Sequence, residues 1–243
     1  MPTASVIEIN ALTVDYARKR ALNGLSLQVA RGEIFGFLGP NGAGKSTTIK
    51  AILGLIFPTS GHIMLQGFSP ANPESRQKVG FLPEEANYYR FLTPVEILTF
   101  YGDICGAPRD TMKKRIARLL EMVGLSDVKN KQVGTFSKGM VQKINLAQTL
   151  IHEPETLILD EPTSGLDPLS RMDLRKILKD LKAEGKTIFF SSHELSEVEL
   201  LCDSIAILKA GRIVRSGPLQ EVLESKDQHL ERFFIQAVQE ADP

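Results

Sequence analysis

Four short runs in this 243-residue chain hold the residue types that handle a polyphosphate. The first is GPNGAGKST, residues 39–47, which fits G-x-x-x-x-G-K-[ST] with Gly39, Gly44, Lys45 and Ser46 in the fixed places. Glycine lets a backbone wrap closely around phosphate with its N–H groups turned inward. Pro40, Asn41, Gly42 and Ala43 complete the loop. A helix opening directly behind it brings the positive end of its dipole to the anion. Lys45 has the reach for β- and γ-phosphates, and Ser46 offers Mg²⁺ a hard oxygen. Thr47 adds a hydroxyl near the α-phosphate. The implied ligand is a nucleotide.

The second run, LILDE at 157–161, is apolar and ends in two carboxylates, an ending suited to a site at the carboxyl edge of a parallel sheet. Asp160 is placed to hold Mg²⁺ through water, and Glu161 to face an attacking water as general base. The third, FFSSHE, puts His193 at another predicted strand end. Its imidazole suits either a γ-phosphate or a structural bond, and spacing alone leaves both open. The fourth, TFSKGMVQK at 135–143, has a Ser in a cap position and a Gly close behind, ahead of a helical pattern. Ser137 there caps its own helix or meets an anion, or both. One nucleotide does not need two such helix starts so far apart in the chain.

The elements around these runs alternate in type. VIEINALTV and ALNGLSLQV read as strands closed by the turn Arg31-Gly32. EIFGFLG is a buried strand entering the glycine loop, and the helix behind it is expected from about Gly44 to Leu55. GHIMLQG and KVGFL follow as short strands. From Glu84 to His152 helical signals take over. Thr93-Pro94-Val95-Glu96 is a capping-box start, Ile116, Leu119, Leu120 and Val123 share a helix face, and Met140, Ile144, Ala147 and Ile151 share another. Strand and helix then alternate again through ETLILDEP, LSRMDLRKILKDLKAEG, KTIFFSSH and LSEVELLC, to a hairpin turning at Ala210-Gly211. The last stretch is polar and helical in pattern, with an apolar cluster at Phe233, Phe234 and Ile235.

Composition narrows the partners. Lys plus Arg and Asp plus Glu are 29 each, a balance that argues against a surface for coating nucleic acid. The basic run Lys113, Lys114, Arg115 reads as a solvated helix face. Cys105 and Cys202 have no metal-ligand spacing and read as buried thiols of a reducing compartment. The N-terminus lacks the pattern of a signal peptide. The longest apolar runs, such as AILGLIF, fall short of the ~18–20 residues of a membrane span, so any membrane role is expected to act from outside the bilayer.

Taken together and in this order, the motifs resemble the nucleotide-binding subunit of ATP-binding cassette (ABC) transporters over about residues 6–217. GPNGAGKST is similar to Walker A, LILDEP to Walker B with its glutamate, TFSKGMVQK to the signature LSGGQ, SGLD at 164–167 to the D-loop, and SSH to the switch histidine at His193. The resemblance implies an α/β fold: a P-loop NTPase (RecA-like) core over 1–83 and 153–217, with an N-terminal antiparallel β subdomain. A helical subdomain at about 84–152 is inserted in it, and a short helical extension follows at 218–243. It implies ATP and Mg²⁺ as ligands, Tyr16 stacked on adenine, and hydrolysis by Glu161 with Lys45 and His193. Two such subunits, homodimer or heterodimer, would pack head to tail, so that Ser137, Gly139 and Asp167 of one serve the nucleotide of the other. A polytopic membrane permease would be the further partner, with the chain cytoplasmic and peripheral on the inner membrane face, and no nucleic acid. Lys138 and Met140 depart from the signature, and Glu84 stands where the Q-loop has Gln; a carboxylate there can still bind Mg²⁺ or its water. FSKGM and LPEE are similar to variants of the ABC-2-type branch, mostly exporters. The rival readings are a non-transport ABC ATPase and an ATP-sensing module with little turnover.

Overall fold

The computed structural model describes residues 5–17, 19–223 and 230–240. In chain order the strands are β1 (Ser5–Tyr16), β2 (Lys19–Ala30), β3 (Ile34–Leu38), β4 (Ser60–Leu65), β5 (Val79–Leu82), β6 (Thr156–Leu159), β7 (Thr187–Ser192), β8 (Ser204–Lys209) and β9 (Arg212–Pro218). The helices are α1 (Lys45–Ile52), α2 (Pro94–Ile104), α3 (Arg109–Met122), α4 (Lys138–Thr149), α5 (Pro168–Ala183), α6 (Leu195–Leu201), α7 (Leu219–Val222) and α8 (Leu230–Glu240).

Two sheets result. The strands β2-β1-β4 form an antiparallel sheet in that order. Alternation along them turns Ile7, Ile9, Leu22, Leu25 and Leu27 to one buried face. The second sheet has the order β5-β6-β7-β3-β8-β9, parallel throughout except for the edge strand β9. Its central strands are apolar on both sides because both faces are covered. Phe35, Phe37, Ile158 and Phe189 point toward α1 and the antiparallel sheet; Ile34, Leu157, Leu159, Ile188 and Phe190 point the other way, toward α4, α5 and α6. The inserted helices α2 and α3 belong to this second core, since Leu98, Ile116 and Leu120 cluster with those residues.

Local chemistry sets the helix starts. Thr93 accepts from Glu96 N at 3.3 Å while Glu96 accepts from Thr93 N at 2.8 Å, the reciprocal box expected from the sequence. The bond from Thr93 N, with a second from the Thr93 hydroxyl, holds the Glu96 carboxyl below its ordinary pKa. Ile116, Leu119, Leu120 and Val123 are buried as their spacing predicts.

Three expectations change. Helix α1 ends at Ile52 rather than near Leu55, because Gly54 at φ +68° leaves helical conformation. Cys105 is exposed at the end of α2 rather than buried, and only Cys202 is largely enclosed, where burial raises its thiol pKa. Arg115 is not a purely solvated charge: it donates to Ile151 O at 2.9 Å and pairs with Glu153 at 3.1 Å, fastening α3 to the end of the insert. The hairpin β8–β9 turns at Ala210-Gly211 as read. In the C-terminal stretch Phe233 and Phe234 pack on the second core while Ile235 is exposed. Residues 224–229 and 241–243 lie outside the described residues.

Candidate nucleotide site

The carboxyl ends of β3, β6 and β7 are neighbours in the parallel sheet, so the segments that leave them converge. The loop after β3 carries residues 39–44. Gly44 caps α1 at φ +114°, and a Cβ there would stand 2.7 Å from Leu22 Cδ2 and 2.9 Å from Ala21 O. Both the backbone angle and the close approach of β2 therefore require glycine. Ala43 points its methyl into the core, and its N–H donates to Pro40 O at 3.1 Å, tightening the loop.

A cavity of about 470 Å³ opens over this loop, within the range of small-molecule and cofactor sites. Pro40, Asn41, Gly42, Gly44, Lys45, Ser46 and Thr47 form one wall, and Glu84, Glu161 and His193 line it as well. Tyr16, half-exposed at the end of β1, stands at its rim. Ser164, the first residue of the SGLD run, lines it too, as do Lys19 and Ala21, to which no motif in the sequence pointed. Gly39 contributes its carbonyl, which accepts from Lys45 Nζ at 2.7 Å.

At the floor lies a buried charged cluster. Lys45 Nζ is 3.2 Å from Glu161 Oε1, with both side chains less than a tenth exposed. The other oxygen, Oε2, accepts from His193 Nδ1 at 2.8 Å and from His193 N at 3.3 Å. A carboxylate only accepts, so His193 carries a proton on Nδ1. Asp160, also buried, accepts from Ser191 Oγ at 2.6 Å through Oδ1, and Oδ2 has no hydrogen-bond donor among the described residues. The structure thus settles the question spacing left open for His193 only in part: one ring nitrogen is engaged by Glu161.

The donor set fits Mg²⁺ rather than a softer metal. The Ser46 hydroxyl, the Asp160 carboxylate and the Glu84 carboxylate are all hard oxygens. No group of three or more His, Cys, Asp or Glu side chains among the described residues is arranged to cage a metal.

The signature residues do not line this cavity. Ser137 is exposed and caps α4, accepting from Met140 N at 3.3 Å. Gly139 is buried against the start of α5, where a Cβ would meet Ser170 Oγ at 2.4 Å. This packing is a reason for glycine that the motif alone did not give. Asp167 caps α5: it accepts from Ser170 N at 3.0 Å and from Ser170 Oγ at 2.6 Å, and these bonds lower its carboxyl pKa. Lys138 lies over Gly165. Gln142 of α4 donates to Pro162 O at 2.8 Å, one residue past Glu161.

The sequence profile of the ABC transporter family matches residues 22–164, more than half of the chain. The chain belongs to the ABC transporter family. An uncharacterised ABC transporter ATP-binding protein of Nostoc sp. is 49% identical over 209 residues, covering 85% of this chain and 62% of that protein. The linearmycin resistance ATP-binding protein LnrL of Bacillus subtilis is 43% identical over 204 residues, covering 83% and 66%. The chain thus spans a little under two thirds of the length of these curated relatives. A solved ATP-binding subunit of an ABC transporter superposes with a TM-score of 0.87 at 32% identity, covering 96% of this chain and 99% of that one. The mixed α/β architecture with its antiparallel β sheet and inserted helices is the ABC ATPase fold. No helix among the described residues is long and apolar enough to cross a membrane.

Proposed function

We propose that this ABC ATP-binding chain hydrolyses ATP with Mg²⁺ in a head-to-tail pair and so powers export through a separate membrane permease. One observation carries the reading. The cavity over residues 39–47 holds a base, a cation and a histidine already joined, while the second anion-binding helix start lies outside it on the surface. A half-site facing away from its own pocket suits the nucleotide of a neighbour.

The chemistry follows from the cluster. An arriving triphosphate draws Lys45 from Glu161, since a polyphosphate is the stronger partner for an ammonium. Glu161 then accepts the proton of a water whose oxygen attacks the γ-phosphorus as the bond to ADP breaks. His193 keeps the carboxylate aimed through Nδ1 and has Nε2 left for a γ-phosphate oxygen. Ser46, Asp160 and Glu84 would hold Mg²⁺, whose charge offsets that developing on the phosphates. Tyr16 offers its ring to adenine. Ser137 and Gly139, aided by Asp167, would close over the mate's γ-phosphate. Closure is then a two-state change biased by ligand, because only the pair uses both anion sites.

The exporter reading draws support from the FSKGM and LPEE variants and from a relative named for antibiotic resistance. A membrane partner places the chain on the cytoplasmic face. The test is size-exclusion chromatography with ATP in a Glu161→Gln background, with phosphate release followed on the unmodified chain. We expect ATP to shift the Glu161→Gln protein to a dimer and Ser137→Arg to abolish that shift while monomer binding of ATP persists. Dimerisation unchanged by Ser137→Arg would sink the shared-site reading, and absence of phosphate release with and without a permease would sink the hydrolytic one.

A further inference from the structure

Asp160 and Glu161 are consecutive, so in an extended strand their side chains would point to opposite faces. The site needs both acids near one cavity, and the backbone obliges by bending. Asp160 N still follows the sheet, donating to Leu82 O at 2.8 Å. At Glu161 the chain turns into the left-handed region, φ +49°. A non-glycine residue held there is strained and persists only where its surroundings hold it.

Ser191 bonds the bent peptide, which the turn bond from Ser164 N to Glu161 O at 3.1 Å also braces. The parallel pairing of β6 with β7 ends at Leu159 opposite Phe190, so Ser191 is the next residue along the neighbouring strand. There the ladder stops and a side chain takes over: Glu161 N donates to Ser191 Oγ at 2.9 Å. The same hydroxyl donates its hydrogen to Asp160 Oδ1 at 2.6 Å. Ser191 has no exposed surface, and the residues beside it on β7, Phe189 and Phe190, are equally enclosed. A hydroxyl buried in such surroundings is unfavourable unless bonded, and these are its two bonds. The next residue, Ser192, serves a different purpose, closing the turn into α6 with Glu194.

We propose that Ser191 is a positioning residue for hydrolysis: one hydroxyl clamps the Glu161 peptide in its bend and orients the Asp160 carboxylate. The base and the metal-holding acid are thereby set relative to each other by a buried group that does not line the cavity. This assignment rests on the hydrolytic reading above.

The test compares Ser191→Ala and Ser191→Thr with the unmodified chain, at a temperature where circular dichroism shows all three folded. Steady-state ATP turnover is measured against ATP and against Mg²⁺, and a fluorescent ATP analogue reports binding. Loss of a supporting partner of this kind typically costs about 10–100-fold. We expect Ser191→Ala to lower kcat by about tenfold or more and to raise the Mg²⁺ concentration for half-activation, with KM for ATP and analogue binding little changed. Threonine keeps the hydroxyl and is β-branched, which suits a strand, so it should recover most of the kcat. The assignment is overturned if the unmodified chain is active and Ser191→Ala keeps its kcat, or loses stability alone, or if Thr restores nothing. An inactive unmodified chain overturns the hydrolytic reading and this assignment with it.

Discussion

The P-loop end and the signature end of this molecule order their polar groups in opposite ways. At the P-loop end Lys45, Glu161 and Asp160 are buried and already bonded: Lys45 to Glu161, Glu161 to the exposed His193, Asp160 to Ser191. At the signature end Ser137 and Lys138 are exposed, and the order comes from helix capping and from packing of Gly139 on Ser170. Buried charges must be paired, because solvent no longer screens them. Exposed donors need only be aimed. On the proposed function, the first arrangement would be opened by its ligand, whereas the second would wait for one to be presented.

The largest effect should come from the P-loop end alone. Glu161→Gln removes the proton acceptor and leaves the loop intact, so phosphate release should fall by about 10²-fold or more with ATP binding retained. Turnover near that of the unmodified chain would take the base role from Glu161. Next comes the buried pair itself. Lys45→Met in the nucleotide-free protein strands the Glu161 carboxylate, and breaking a buried pair from one side costs about 3–5 kcal/mol. Urea unfolding should show that loss, and the double variant Lys45→Met with Glu161→Gln should be more stable than Lys45→Met alone. Equal stability of the two would mean the ion pair does not organise the pocket.

Two smaller effects concern the helical insert to which the signature end belongs. Thr93→Ala removes the cap of α2 and should cost about 1 kcal/mol in denaturant unfolding without changing ATP binding to the monomer. The last effect is one of pH. His152 lies just past α4, with Nε2 3.0 Å from Val79 O, and burial lowers its pKa despite that bond. The native state keeps it neutral where the unfolded chain takes up a proton. Its contribution is therefore present above the ordinary imidazole value of 6.5 and is lost as pH falls from there through the native pKa. Urea midpoints on either side of that value should separate less in His152→Gln than in the unmodified chain.

Much of this was legible before any coordinates. Glycine spacing, a lysine and a hydroxyl specify a phosphate loop because few other backbones can approach an anion so closely. The helix starts were legible because Thr93-Pro94-Val95-Glu96 caps locally, within four residues. What escaped was non-local. Ser191 reads as one more strand residue until β6 is laid beside β7. The Arg115 bond to Ile151 O joins residues far apart in the chain. Lys19 and Ala21 reach the cavity through the packing of β2. Cys105 was misplaced because thiols favour the interior on average, and the exposed end of α2 does not follow the average.

The bond from Gln142 to Pro162 O, together with the seat of Gly139 on Ser170, has one more consequence. The first turns of α4 and the backbone just beyond Glu161 are a single mechanical piece. On the proposed pairing, what a chain would lend to its mate's nucleotide is tied to the segment that carries its own Glu161, so a shift at one chamber would reach the other without leaving the subunit. Such a pair would have a built-in means of keeping its two chambers in step.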